Sequence, residues 1–240
     1  MIVTQDFSVY INKQPILKNI NLEFGPGVHI IMGRNGVGKS TFGHALMGNP
    51  NYKTDGAAQL NGKDLLAMET FERAQAGLFL SFQNPTPIEG LSNFQFVKQF
   101  LPYVENMDSI TETLQNFKTL SAKFRLPEGF HSKQLNVEAS GGEKKKSEII
   151  QMMLADPMVA ILDEPDSGLD IDAINELVVQ LNEFMQRDPE KVLIVVTHYD
   201  KLIEKLNPDT VTIFGKQHAT TYDDISVAYE ILEHGFSAYG

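Results

Sequence analysis

Cysteine is missing from all 240 residues. Its absence excludes disulfides and thiolate ligation of zinc or an iron–sulfur cluster by this chain, so any such cluster belongs on a partner. Long hydrophobic runs are missing too. No segment approaches the roughly 18 consecutive apolar residues of a membrane span, and Asp6, Asn12 and Lys13 come too early for the apolar region of a signal peptide. A cytoplasmic chain with no direct membrane insertion is expected. Positive charge is scarce: 20 basic against 31 acidic side chains leave a net charge of -11, which argues against nucleic acid or an anionic bilayer as a partner. Repeats, low-complexity tracts and long Pro/Gly/Ser linkers are absent as well, so one nested body is expected rather than separable domains. What is present is 42% apolar residues, enough to bury a substantial core.

The apolar patterning predicts short strands at 2–9, 19–24 and 28–32, the last two separated by the turn Gly25-Pro26-Gly27. A helix from Gly38 to Leu46 follows, then a strand and turn near 58–62 and a strand near 77–82. From Asn84 to about Asn136 the pattern becomes helical, with helices predicted from Asn93 to Tyr103 and from Ser109 to Phe124. Helix 141–154, strand 159–162, helix 171–186 and strand 192–197 then alternate as in a parallel sheet covered by helices.

Between the strand at 28–32 and its helix lies Gly33-Arg34-Asn35-Gly36-Val37-Gly38-Lys39-Ser40-Thr41. Gly33-x4-Gly38-Lys39-Ser40 has P-loop spacing: backbone N–H groups at the glycines wrap phosphate oxygens, Lys39 supplies a point charge and Ser40 a hydroxyl for Mg²⁺. The following helix N-terminus favours anions. Strand 159–162 runs into Asp163 and Glu164, which puts two carboxylates at the carboxyl edge where open α/β sheets bind ligands. Beside a P-loop, Asp163 is expected to hold Mg²⁺ through water and Glu164 to act as general base on the attacking water. Ser140-Gly141-Gly142-Glu143 has the spacing of a capping box. Its glycines also leave a bare helix N-terminus, a second anion site. Because the P-loop already cradles the nucleotide's phosphates, this second site is expected to meet the γ-phosphate from another subunit, in a transient ATP-dependent head-to-tail homodimer.

The order of these motifs along the chain resembles the ATP-binding-cassette (ABC) ATPases. The resemblance implies an α/β P-loop NTPase fold with a mostly parallel core sheet, an N-terminal antiparallel β subdomain and an inserted helical subdomain. It divides a single domain, 1–240, into a core of 1–83 and 155–240 and a helical part of about 84–154. It further implies that Gln83 senses Mg²⁺ and the γ-phosphate, that Ser140, Gly141, Gly142 and Glu143 form the signature motif and that Ser167, Gly168, Leu169 and Asp170 form the D-loop. His198 becomes the switch histidine, and Tyr10 a candidate to stack on adenine.

Three stretches narrow the resemblance: "EKKKSEIIQM" from Glu143, "ILDEPDSGLDIDA" from Ile161 and "THYDKLIEKLNPD" from Thr197. They are similar to the SufC family, the ATPases of the SUF iron–sulfur cluster assembly machinery, as is "FQNPTPIEGLSNFQF" from Phe82. The implied activity is Mg-dependent ATP hydrolysis that moves SufB/SufD-like partners, on which the cluster is built. The alternative is the nucleotide-binding subunit of an ABC transporter. The chain departs from the pattern at Arg34, Ala139 and Pro165, where proline, leucine and serine or threonine are usual, and after about Val211, where 214–224 lacks the family's glycine-rich turn.

Two further expectations concern regulation. The segment from Pro85 to Phe100, next to Gln83, is expected to form the partner-docking groove, although its aromatics Phe94, Phe96 and Phe100 read more readily as core than as interface. One of Lys144, Lys145 and Lys146, cations where a helix dipole disfavours them, is expected to hold Glu164 in an ion pair in the free subunit; the plainer reading is a solvated lysine face.

Overall fold

Two sheets share one core in the computed structural model, which describes residues 1–100 and 110–239. In chain order the strands are β1 (Ile2–Ile11), β2 (Gln14–Phe24), β3 (Gly27–Gly33), β4 (Lys53–Leu60), β5 (Lys63–Asp64), β6 (Leu78–Leu80), β7 (Ile88–Ser92), β8 (Gln134–Leu135), β9 (Val159–Asp163), β10 (Val192–Val196), β11 (Thr210–Gly215) and β12 (His218–Tyr222). The helices are α1 (Lys39–Leu46), α2 (Thr70–Gln75), α3 (Asn93–Phe100), α4 (Ile110–Lys123), α5 (Gly141–Ala155), α6 (Ile171–Gln186), α7 (Asp200–Leu206) and α8 (Ser226–His234).

The main sheet runs β12-β11-β3-β10-β9-β6. It is parallel except for β12, which returns antiparallel along β11. Strands β9 and β10 are buried at every position, as expected of central strands covered on both faces. The period of two divides their side chains. Ala160, Leu162, Leu193 and Val195 face a core built with α3 to α8. Val159, Ile161, Val192 and Ile194 face a second core shared with α1 and an antiparallel sheet ordered β2-β1-β4-β5. Phe42 of α1 anchors this second core, fully buried with ring contacts to Phe7, Phe24 and Phe214.

Several boundaries differ from the sequence reading. Strand β2 begins at Gln14 rather than 19, and β4 at Lys53 rather than 58. The stretch added to β4, 53–57, is mostly polar, and the one added to β2, 14–18, opens on Gln14 and Pro15; both owe their strand state to pairing with β1, whose register shifts on both sides. Helix α1 starts one residue later, with Gly38 as its left-handed N-cap, and α5 ends one residue later, at Ala155, where Asp156 adopts φ 46°. Helix α6 occupies 171–186 as read. The helix ends expected at Tyr103 and Ser109 lie outside the described residues.

Candidate functional site

The loop expected to cradle phosphate forms where β3 stops. A Cβ on Gly33 would run into the Phe214 carbonyl oxygen, and one on Gly38, at φ 107°, would stand 2.6 Å from Leu17 Cδ2. Only glycine lets the loop pass so close to its neighbours. Lys39 is buried, and its Nζ donates to the carbonyls of Gly33 (2.6 Å) and Arg34 (3.1 Å). Burial lowers its pKa, opposed by the charges of Glu164 and Asp163. Ser40 and Thr41 follow in the first turn of α1.

Asp163 ends β9 beneath this loop, 2% exposed, with neither carboxylate oxygen hydrogen-bonded in the protein. Its backbone N–H donates to Ser81 Oγ at 3.0 Å. A buried, unpartnered carboxylate is costly unless a cation completes it, and a hydroxyl with a carboxylate and an amide oxygen is a donor set suited to Mg²⁺. Glu164 then leaves the strand at φ 48°, an uncommon conformation for a non-glycine residue. Its Oε2 accepts a 2.8 Å hydrogen bond from Gln83 Nε2, across 81 residues of sequence. The structure thus brings Gln83 and Glu164 into direct contact.

His198 follows β10. Burial lowers its pKa, aided by the Lys39 charge and opposed by Glu164 and Asp166, so the imidazole is neutral at pH 7. Thr197 Oγ1 donates to Asp166 Oδ1 at 2.7 Å, and burial raises the Asp166 pKa. Two contacts here went unread in the sequence. One is that Thr197–Asp166 tie. The other is Phe236, whose ring meets His198 edge-on at 5.9 Å between centroids. Phe236 also closes a cavity of about 420 Å³ walled by Pro15, Ile16, Phe214 and residues 34–37. Tyr10 is partly buried on β1, opposite Pro15 and Lys53, and is not in that cavity's wall.

Ser140 caps α5 as its spacing predicts. Its Oγ accepts from Glu143 N (3.2 Å) and Glu143 Oε2 accepts from Ser140 N (2.9 Å), a hydrogen bond that lowers the Glu143 pKa. Gly141 is exposed, and a Cβ on Gly142 would touch the Gly168 carbonyl and Leu169 of the same chain. Ser167 and Gly168 are exposed in the turn leading to α6, whose N-cap is Asp170, its Oδ1 accepting from Ala173 N at 2.8 Å.

The expected ion pair between Glu164 and a lysine of α5 is not formed. Lys145 is buried, and its Nζ is taken by the carbonyls of Phe82 (2.9 Å) and Asp163 (3.1 Å), while the Glu164 carboxylate turns to Gln83. A solvated lysine face does not describe Lys145 either; Lys144 and Lys146 are half-buried. In the segment expected to form the docking groove, Phe94 packs on the core against Phe117 and Phe96 is half-buried. The Phe100 side chain lies outside the described structure.

Residues 17–167 match the family described as ABC transporter. The chain is similar to the probable ATP-dependent transporter SufC of Escherichia coli (strain K12), 36% identical over 98% of this chain and 97% of that protein. It is also similar to vegetative protein 296 of Bacillus subtilis (strain 168), 37% identical over 97% and 90%, and to a probable ABC transporter ATP-binding protein of Streptococcus pyogenes, 37% identical over 95% and 91%. Among solved structures it resembles an ATP-binding subunit of an ABC transporter (TM-score 0.79, 24% identity, 98% and 95% covered). A dimeric ATP-binding cassette in a post-hydrolysis state with ADP and Pi is similarly placed (TM-score 0.79, 19% identity, 93% and 98% covered). At these identities the structural likeness concerns the fold.

Proposed function

The chain belongs to the ABC-type ATPase family and is SufC-like in sequence, and from that premise we propose that it is the ATP-hydrolysing motor subunit of an iron–sulfur cluster assembly complex. The observation that carries this reading is that similarity to SufC extends over 98% of this chain, well past the nucleotide motifs. The absence of cysteine fits a motor whose cluster is built on SufB/SufD-like partners.

In this reading Gly33, Asn35, Gly36, Gly38, Lys39, Ser40 and Thr41 hold the ATP phosphates, and Tyr10 and the adjoining cavity receive the base. Ser40, Gln83 and Asp163 hold Mg²⁺, which supplies charge neutralisation on the phosphates when bound. Glu164 takes the proton of the attacking water, Gln83 fixes the carboxylate's position, and neutral His198 donates a hydrogen bond toward the γ-phosphate. Ser140, Gly141, Gly142 and Glu143 meet the γ-phosphate held by a second copy, with the D-loop residues Ser167, Gly168, Leu169 and Asp170 between the two. The helical part that includes α3, α4 and α5 forms the arm that carries the signature. ATP closes two chains head to tail, and hydrolysis reopens them and moves what each carries.

Names among the relatives favour one alternative, an ATP-binding subunit of an ABC transporter. Copurification decides between the two. Retention of SufB/SufD-like proteins that stimulate ATP turnover supports the assembly motor; retention of a membrane permease instead overturns it.

A further inference from the structure

The strand ladder of β6 ends at Ser81, whose N–H donates to the Ile161 carbonyl at 2.9 Å. The next peptide is held differently. The Phe82 N–H donates to Glu148 Oε1 at 2.8 Å, and the Phe82 carbonyl accepts from Lys145 Nζ at 2.9 Å. Both side chains come from one face of α5, three residues apart. The Phe82 ring itself is 47% exposed and lies 5.5 Å from the His44 ring, centroid to centroid, so the backbone is gripped where the side chain anchors little. Lys145 Nζ also holds the carbonyl of Asp163. The residues that follow these two gripped positions are Gln83 and Glu164, joined by their own hydrogen bond. A closed circuit results: Glu148, Phe82, Gln83, Glu164, Asp163, Lys145.

We propose that Glu148 is a positioning residue for hydrolysis: through the Phe82 peptide it ties α5 to the Gln83–Glu164 pair, so that displacement of the signature end of the helix is passed to the general base. This rests on the hydrolytic, head-to-tail reading above. Glu148 lies eight residues beyond Ser140, about 12 Å along the helix, and a rigid helix carries movement over that span. Packing does not account for a carboxylate at this position. Glu148 is 4% exposed and its Oε2 has no hydrogen-bond partner, so an apolar side chain of equal size would cost the fold less. What an apolar side chain lacks is an acceptor for the Phe82 N–H.

The test compares Glu148→Met and Glu148→Leu, which keep the bulk and remove the acceptor, with Glu148→Gln, which keeps both. Single-turnover hydrolysis at saturating Mg-ATP is measured beside the Kd of a fluorescent ATP analogue and amide exchange of the peptide containing Phe82. Leaving the buried Phe82 N–H without an acceptor should slow hydrolysis about tenfold in Met and Leu. It should speed exchange at Phe82 and leave the Kd within about twofold. Gln should restore rate and exchange to within about twofold of wild type. Wild-type hydrolysis in Met or Leu overturns the proposal, as does a fall in affinity that matches the fall in rate, or a folded Gln variant that fails to restore. Failure of both apolar variants to fold also overturns it, because the acceptor would then serve the fold rather than the site. Absence of turnover in wild type sinks the ATPase reading along with it; wild-type turnover with unaffected variants sinks the tie alone.

Discussion

Lys39 and Glu164 lie close enough for their charges to interact, and the proposed mechanism gives them different stages of the reaction. The Lys39 ammonium is already in place among the P-loop carbonyls, and in the proposed mechanism it meets phosphate charge in the bound ground state. Lys39→Ala should weaken ATP binding by about tenfold or more, the scale of a charge-assisted hydrogen bond lost, as read by fluorescent-nucleotide titration. In that mechanism Glu164 acts at the chemical step. Glu164→Gln should cut turnover by about 100-fold or more while leaving affinity nearly unchanged; turnover at the wild-type rate would remove Glu164 from the base role. Gly33 is constrained by space, since any Cβ would meet the Phe214 carbonyl. Gly33→Ala should therefore abolish nucleotide binding even though the substitution adds one methyl, and a Gly33→Ala protein with wild-type affinity would show that β11 yields there.

At the scale of the element, α5 combines a capping box at its exposed start with buried charge further along. Burial is the main reason the Glu148 pKa is raised from 4.5 to about 7, with Asp163 adding to the rise and the Phe82 N–H and Lys145 opposing it. The folded state therefore holds this proton more tightly than the unfolded chain. Its contribution to stability is complete below about pH 4.5 and is lost as pH rises through about 7. Glu148→Gln carries no such loss. Its stability relative to wild type should rise between pH 5 and 8 by on the order of 3 kcal/mol and level off above that, as measured by urea denaturation. A pH-independent difference would mean that Glu148 ionises normally.

The sequence told this helix only in part. Ser140 and Glu143 announced its start, and the all-apolar runs of β9 and β10 announced central strands. Lys145 and Glu148 share a face with the apolar Ile149 and Met152 at helical spacing, a pattern that marks buried charge. Which groups those charges meet is set by tertiary packing, and the nearest carboxylate in the motif, Glu164, was the wrong partner to infer. Strand β4 was half legible for a related reason: "KTDG" has little strand propensity, and its pairing with β1 becomes visible only in three dimensions.

For the whole molecule, the motifs and their order made the family and the candidate site legible, because each motif needs a residue type at a fixed spacing. The closure of the site by the C-terminal segment was not legible: Phe236 reaches His198 only because α8 brings it back, and nothing in its local sequence marks it. Among the described residues no helix is long and apolar enough to cross a membrane. The remaining question of scale is whether one chain suffices. The P-loop and the Ser140 helix start are two helix N-termini in one chain, and under the proposed function both meet one ATP only when two copies come together. Sedimentation velocity of Glu164→Gln with ATP and Mg²⁺, well above the nucleotide Kd, measures this directly. The expected result is a dimer that forms with ATP and dissociates with ADP; a chain that binds ATP yet sediments as a monomer at every protein concentration tested would rule out head-to-tail closure.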